Sequence, residues 1–267
     1  MNDFVELENR AKEIRKEILS IGFACGKSAH FGGALSMVEI LSTLFFRVMN
    51  HDPKNPSWVD RDRFILSKGH GVLGYLAALY VSGYVNQPTA YSFQTNGSPF
   101  TAHPVKNMEF GVETSSGSLG QGLPFAVGLA MALLKRSSSP RVFVICGDGE
   151  CNEGAVWESL SIACKFNLSN LTMLIDKNGY QNDGDSLSVS GDLKLNEICE
   201  GFGASVSTVD GHNFEQLATQ LACPNRKNRP RVIICNTIKG KGVDFMESNN
   251  DWHHNRLTER QLLSVQS

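Results

Sequence analysis

The sequence predicts an α/β fold, a parallel β-sheet with helices on both faces. Two observations lead there. Five short runs of apolar and β-branched residues alternate with stretches of helical periodicity, which is the βαβ rhythm. Two of those runs, RVFVIC and LTMLID, feed directly into glycine- and asparagine-rich loops, and parallel sheets bind ligands in loops at the carboxyl ends of their strands. The chain has 267 residues and 41% hydrophobic content, enough for one large domain or two small ones. No internal repeat or low-complexity linker divides it, so a single domain over 1–267 is the simplest organisation.

The elements follow in order. Phe4, Leu7, Ala11, Ile14 and Ile18 recur at helical spacing, and Ser36-Met-Val-Glu39 has the form of a capping box opening a second helix through about Val48. RFIL (63–66) reads as the first strand, followed by a helix over 72–81 and a long extended loop at roughly 84–116. A helix over 121–135 precedes the strand RVFVIC (141–146), and one over 153–166 precedes LTMLID (171–176). ASVSTV (204–209), a helix over 213–222 and RVIICN (231–236) complete the sheet, leaving a polar tail after about 247.

Charge and cysteine usage exclude several classes of function. The net charge is −2 with both signs dispersed, so neither a nucleic-acid footprint nor a basic membrane patch is present. No apolar run approaches the ~20 residues of a membrane span, and the N-terminus MNDFVELENRAKEIRKE is acidic and amphipathic, unlike a signal peptide. A cytoplasmic location is expected. The seven cysteines (25, 146, 151, 164, 199, 223, 235) show no CxxC pairing and read as free thiols.

The densest chemical signal is RVFVICGDGECNEG (141–154), in which a strand delivers Asp148 between Gly147 and Gly149. Taken alone, Asp148 is a helix cap. About thirty residues later the next strand runs into Asp176-Lys-Asn178-Gly-Tyr180. A hard cation such as Mg²⁺ takes oxygen ligands and leaves positions for phosphate. The Asp148 carboxylate, the Asn178 carboxamide and the Tyr180 carbonyl are three such ligands. The combination resembles the fingerprint of thiamine-diphosphate enzymes, with Mg²⁺ or, in its place, Ca²⁺ or Mn²⁺.

Five segments in matching order narrow the resemblance: SAHFGGALSMVEIL (28–41), LSKGHGVLGYLAAL (66–79), GVETSSGSLGQGLPFAVGLA (111–130), GDGECNEGAVWE (147–158) and TIKGKGVDFMESNNDWHH (237–254). Together they are similar to the diphosphate-binding domain of transketolases. The resemblance implies a thiamine-diphosphate-binding fold and transfer of a two-carbon ketol unit from a ketose to an aldose. It further implies a partner chain carrying the pyrimidine-binding and C-terminal domains, which have no counterpart here. The expected assembly is α₂β₂, inactive without the partner, and its substrates are sugars or sugar phosphates.

By the same resemblance His70 contacts the cofactor diphosphate, and His30 and His103 line the substrate channel. His253 faces both cofactor and substrate. Gly117 lets the backbone approach the cofactor's aminopyrimidine, with Leu119 packed beside it. Glu153 and Glu158 meet their counterparts across a dimer interface as a coupled carboxylate pair; on the residues alone they are helix-start acids. His51 and His212 are left to structural roles. Two departures bear on substrate. The loop SFQTNGSPFTAHP (92–104) has no Lys or Arg, where relatives using sugar phosphates carry basic residues. Phe31 and His254 stand where many relatives have Pro and Gly, and both are expected to reshape the channel. The alternatives are a deoxyxylulose-phosphate synthase-like enzyme, the α-component of a 2-oxo-acid dehydrogenase, and a catalytically silent subunit that keeps the fold.

Overall fold

In a computed structural model, residues 4–136, 140–222 and 228–266 are described. Five strands, β1 (Arg63–Leu66), β2 (Val142–Gly147), β3 (Leu171–Lys177), β4 (Ser205–Asp210) and β5 (Arg231–Asn236), form one sheet in the order β1-β2-β3-β5-β4. Every neighbouring pair is parallel. The helices are α1 (Val5–Ala24), α2 (Phe31–Leu35), α3 (Val38–Thr43), α4 (Val72–Val81), α5 (Gln87–Ala90), α6 (Gly122–Leu134), α7 (Gly154–Lys165), α8 (Ser186–Ser190), α9 (Leu195–Phe202), α10 (Phe214–Ala222) and α11 (Glu259–Gln266).

Alternation along the strands explains why helices cover both faces. Phe143, Ile145, Leu174 and Ile233 point into one core with α1–α4 and α10. Val142, Val144, Met173, Ile175 and Val232 point into the other, with α6, α7 and α9. The five strand runs expected from sequence lie within one residue of the observed strands. In β1, β2, β3 and β5 residues buried on both faces leave little freedom in where a strand can sit, and β4, mostly half-buried at the sheet edge, follows its pairing with β5.

Three local expectations are corrected. Ser36 does not cap a helix; it follows α2, and its hydroxyl bonds the Gly33 carbonyl at 3.1 Å and the buried Asp176 carboxylate at 2.6 Å. The Glu39 carboxylate is drawn instead to Arg15 at 2.5 Å and His212 at 2.8 Å, and the expected single helix is α3 followed by one π turn over Leu44–Val48. Phe31 does not reach the channel, being fully buried with its ring edge-on to Trp252 at 5.8 Å. The loop over 84–116 holds α5 and a 3₁₀ turn at Met108–Phe110, and the polar tail folds into a 3₁₀ turn at Asn250–His253 and α11. Six cysteines are free thiols, and Cys223 lies outside the described residues.

Candidate active site

The site forms where β1, β2 and β3 end. Leu66 is followed by Ser67-Lys68-Gly69-His70, Gly147 by Asp148-Gly149, and Lys177 by Asn178-Gly179-Tyr180. With the glycine-rich loop and the 250–253 turn they enclose a cavity of about 220 Å³, whose lining includes Lys68, His70, Leu119, Asp148, Asn178 and His253. Gly147, Gly149 and Tyr180 line it too. Every cofactor- or metal-binding residue expected from sequence except Gly117 therefore meets at one cavity. Gly117 lies beside it: a β-carbon there would come within 3.2 Å of the His103 ring, and its φ of +153° suits glycine.

A buried salt bridge holds the floor. Asp176, at the end of β3, is completely buried and receives the Lys68 ammonium, the Ser36 hydroxyl at 2.6 Å and the Thr237 hydroxyl. Burial opposes its ionisation, but the Lys68 charge and these donors outweigh burial and hold its carboxyl below the usual range. The pair thus pins the loop after β1 to the ends of β3 and β5.

Asp148 is arranged differently. Its Oδ2 accepts from the Gly179 N–H and the Ser186 hydroxyl, each at 3.0 Å. Its Oδ1 is buried and meets no hydrogen-bond partner among the described residues. Burial and then the neighbouring Asp176 charge push its carboxyl upward, against the donors around it. A cation at Oδ1 would reverse both effects. Asn178 is close by, its Oδ1 accepting from the Tyr180 N–H at 3.1 Å and its Nδ2 donating to Asp176 at 3.3 Å. Among the described residues no group of three or more His, Cys, Asp or Glu side chains is placed to hold a metal. One carboxylate, one carboxamide and one backbone carbonyl form a donor set that suits a hard divalent ion.

Four histidines gather above. His30 lies 5.6 Å from His70, 6.1 Å from His103 and 5.4 Å from His253 between ring centroids, and His70 stacks on His253 at 5.4 Å. Burial, followed by the charges of His254, His253, His103 and Lys239, lowers His30 to about 3. Burial and Lys239 lower His253 to about 4, and burial and Lys68 carry His70 well below its ordinary value. At neutral pH these three rings are uncharged, each offering one N–H donor and one acceptor. Glu153 and Glu158 are not in the cavity. Both are exposed, Glu153 just before α7 and Glu158 within it, and Gly120 (φ +77°) packs so tightly on Glu153 that a β-carbon would meet its Cβ at 2.7 Å. His51 and His212 have structural partners, in Tyr84 and the Phe45 carbonyl, and in Glu39 and the Ile238 N–H.

Besides the Lys68–Asp176 pair, two residues of the site stand out that were not singled out from sequence. Glu150, 2% exposed, accepts from the Ser67 hydroxyl at 2.5 Å, the Gly120 N–H at 2.8 Å and the Gly147 N–H at 3.1 Å, tying three loops together. Its signal was its place inside GDGE. Lys239, 1% exposed, bonds Asn250 Oδ1 at 2.6 Å and His253 Nδ1 at 3.0 Å and lies 5.4 Å from the centre of the Tyr180 ring. Burial and the Lys68 charge lower it to about 8. Its signal was the TIKGKG that follows β5.

Residues 11–267 match the family model described as transketolase, thiamine diphosphate binding domain. The chain belongs to the transketolase family. It is 39% identical over 249 residues to an apulose-4-phosphate transketolase subunit of Actinobacillus succinogenes, covering 93% of this chain and 90% of that one. It is 36% identical to a 6-deoxy-6-sulfo-D-fructose transketolase subunit of a Clostridium species, covering 96% and 93%. The transketolase of Leishmania mexicana superposes with a TM-score of 0.91 at 32% identity, over 97% of this chain and 40% of that one. This transketolase domain therefore spans about 40% of that solved chain and nearly all of the two subunits. Among its described residues no helix is long and apolar enough to cross a membrane.

Proposed function

We propose that this chain is the diphosphate-binding subunit of a two-chain transketolase. In this reading it holds thiamine diphosphate through a divalent cation, and a partner subunit with the pyrimidine-binding domain completes the site in an α₂β₂ assembly. The observation that carries it is the buried, unpartnered Oδ1 of Asp148 at a cavity shared with Asn178, His70 and His253. The match to relatives named as subunits over nearly their whole length supports the partner.

Asp148, Asn178 and the Tyr180 carbonyl hold the cation, Mg²⁺ or Ca²⁺ or Mn²⁺ in its place. The neutral ring of His70 donates to a diphosphate oxygen, and Lys239 supplies a cation with no carboxylate among its hydrogen-bond partners. Leu119, in the cavity wall, and Gly117 beside it would pack against the cofactor when it is bound. When bound, thiamine diphosphate supplies the nucleophilic carbon and the electron sink that ketose cleavage needs. The protein's part is to place hydroxyls and move protons. His30, His103 and His253 surround the space above the cavity, where their ring nitrogens are placed to hydrogen-bond a sugar chain. Glu153 and Glu158 face outward and are assigned to subunit contact.

Purification from the native host, with cofactor and metal analysis of what elutes, tests this reading. The expected result is a stoichiometric partner chain with thiamine diphosphate and a divalent ion. Recovery of the chain alone, with neither bound, contradicts it.

A further inference from the structure

His253 and His254 are consecutive but lead to different places. His253 turns inward, bonding Lys239 and stacking on His70. The next residue, in extended conformation (φ −147°, ψ 101°), is exposed. Its position is fixed by an antiparallel bridge between Ala29 and Asn255, which exchange both backbone hydrogen bonds, Ala29 N–H to Asn255 O at 2.9 Å and Asn255 N–H to Ala29 O at 3.1 Å. In that register residue 254 stands directly opposite residue 30, in the pair where cross-strand side chains approach most closely. The His254 ring accordingly lies 4.5 Å from that of His30, closer than those of His70, His103 or His253. Of the four rings around His30 it alone is exposed.

We propose that His254 is a specificity-determining residue, which with His30 forms a two-imidazole clamp on vicinal hydroxyls of the sugar at the exposed edge of the histidine cluster. The inference rests on the ketol-transfer reading of the site. Two rings a few ångströms apart, each with two ring nitrogens that take part in hydrogen bonds, match a vicinal diol, whose two oxygens both donate and accept. The pairing also bears on the charge of His30. Among the described residues, the groups that face His30 or act on its charge are the imidazoles of His70, His103, His253 and His254 and the Lys239 ammonium, with no acid among them. His254 is the nearest of the rings and, after burial, contributes most to keeping His30 unprotonated. A neutral His30 keeps its acceptor nitrogen for a hydroxyl proton.

The test compares His254→Ala and His254→Gln in the assembled enzyme with ketose and aldose substrates and with deoxy analogues lacking one hydroxyl of the diol. Loss of a single hydrogen bond in His254→Ala is expected to raise KM by about fivefold to tenfold with kcat within about twofold. The deoxy analogue is expected to show no further loss in His254→Ala, and His254→Gln, which still donates and accepts, is expected to restore most of the affinity. NMR titration of His30 in the isolated full chain is expected to show its midpoint rising in both variants, since both remove the facing imidazole. An unchanged KM in His254→Ala, or equal additional losses on the deoxy analogue in wild type and variant, overturns the clamp. An unmoved His30 titration overturns the pairing. That titration needs no activity, so it decides the His30–His254 contact even where absence of ketol transfer by the wild-type assembly refutes the functional reading.

Discussion

Glu150 is the acid on which the geometry of the cofactor cavity depends. Its Oε1 accepts from Ser67 and Gly120 and its Oε2 from Gly147, so one side chain holds the end of β1, the glycine-rich loop and the end of β2. Glu150→Ala leaves two buried N–H groups and one hydroxyl without an acceptor. At about 1–3 kcal/mol for each buried donor left unpaired, the gross cost is about 3–9 kcal/mol. Burial pushes the Glu150 carboxyl upward, which means that removing it returns part of that cost. A net loss near the lower end, about 3 kcal/mol, is the expected result. Glu150→Gln keeps an oxygen toward Ser67 and Gly120 but turns an amide N–H₂ toward the Gly147 N–H, so one acceptor is lost, one buried donor is left unpaired and the expected cost is about 1–3 kcal/mol. Urea unfolding of the purified chain measures both as a drop in midpoint at constant m-value. A loss below about 1 kcal/mol for Glu150→Ala, or a larger loss for Gln than for Ala, would refute the reasoning.

Other outcomes follow from the same geometry. Asp148→Ala with Asn178→Ala is expected to abolish metal-dependent thiamine-diphosphate binding in the assembled enzyme while the chain stays folded, because both side chains lie at strand ends outside the two apolar cores; calorimetric titration of the cofactor with and without Mg²⁺ reads this. His103→Ala is expected to lower kcat for ketol transfer far more than it weakens cofactor affinity, and equal damage to both would move His103 from channel to cofactor shell. The chain alone is expected to lose stability as pH falls. His30 and His253 are lowered to about 3 and about 4 from an ordinary 6.5, so between pH 6.5 and 4 the unfolded state takes up protons that the folded state refuses. Melting temperatures that stay flat across that window would contradict the neutral-imidazole assignment.

How much of this was legible in the sequence depended on whether a residue's task is local. The strands read correctly because runs such as Leu171–Ile175 are buried on both sheet faces and have no alternative placement. Asp148, Asn178, His70 and His253 were legible because each stands in a short motif at a strand or turn end, and parallel strands deliver such ends to one place. Ser36 misled because its hydroxyl had two possible partners, and the buried Asp176 carboxylate, 140 residues away, outcompeted the backbone N–H of a cap. Glu150 stood inside GDGE, but that local signal did not show its task, because the Ser67 and Gly120 donors it accepts from come from distant loops. Lys68 met Asp176 across 108 residues, a pairing that only the register of β1, β2 and β3 determines. Phe31 looked like a channel residue by its neighbours in sequence, but the space over Gly22, which has no β-carbon, drew its ring inward.

The central claim is that this chain is half of an active site. Purified chain, with thiamine diphosphate and Mg²⁺ at saturation, can be titrated with the partner subunit while ketol transfer between a ketose and an aldose is followed. The expected result is no turnover at zero partner and a linear rise that saturates near one partner per chain, with a mass corresponding to two copies of each. Full turnover by this chain alone, free of any other transketolase, would contradict it.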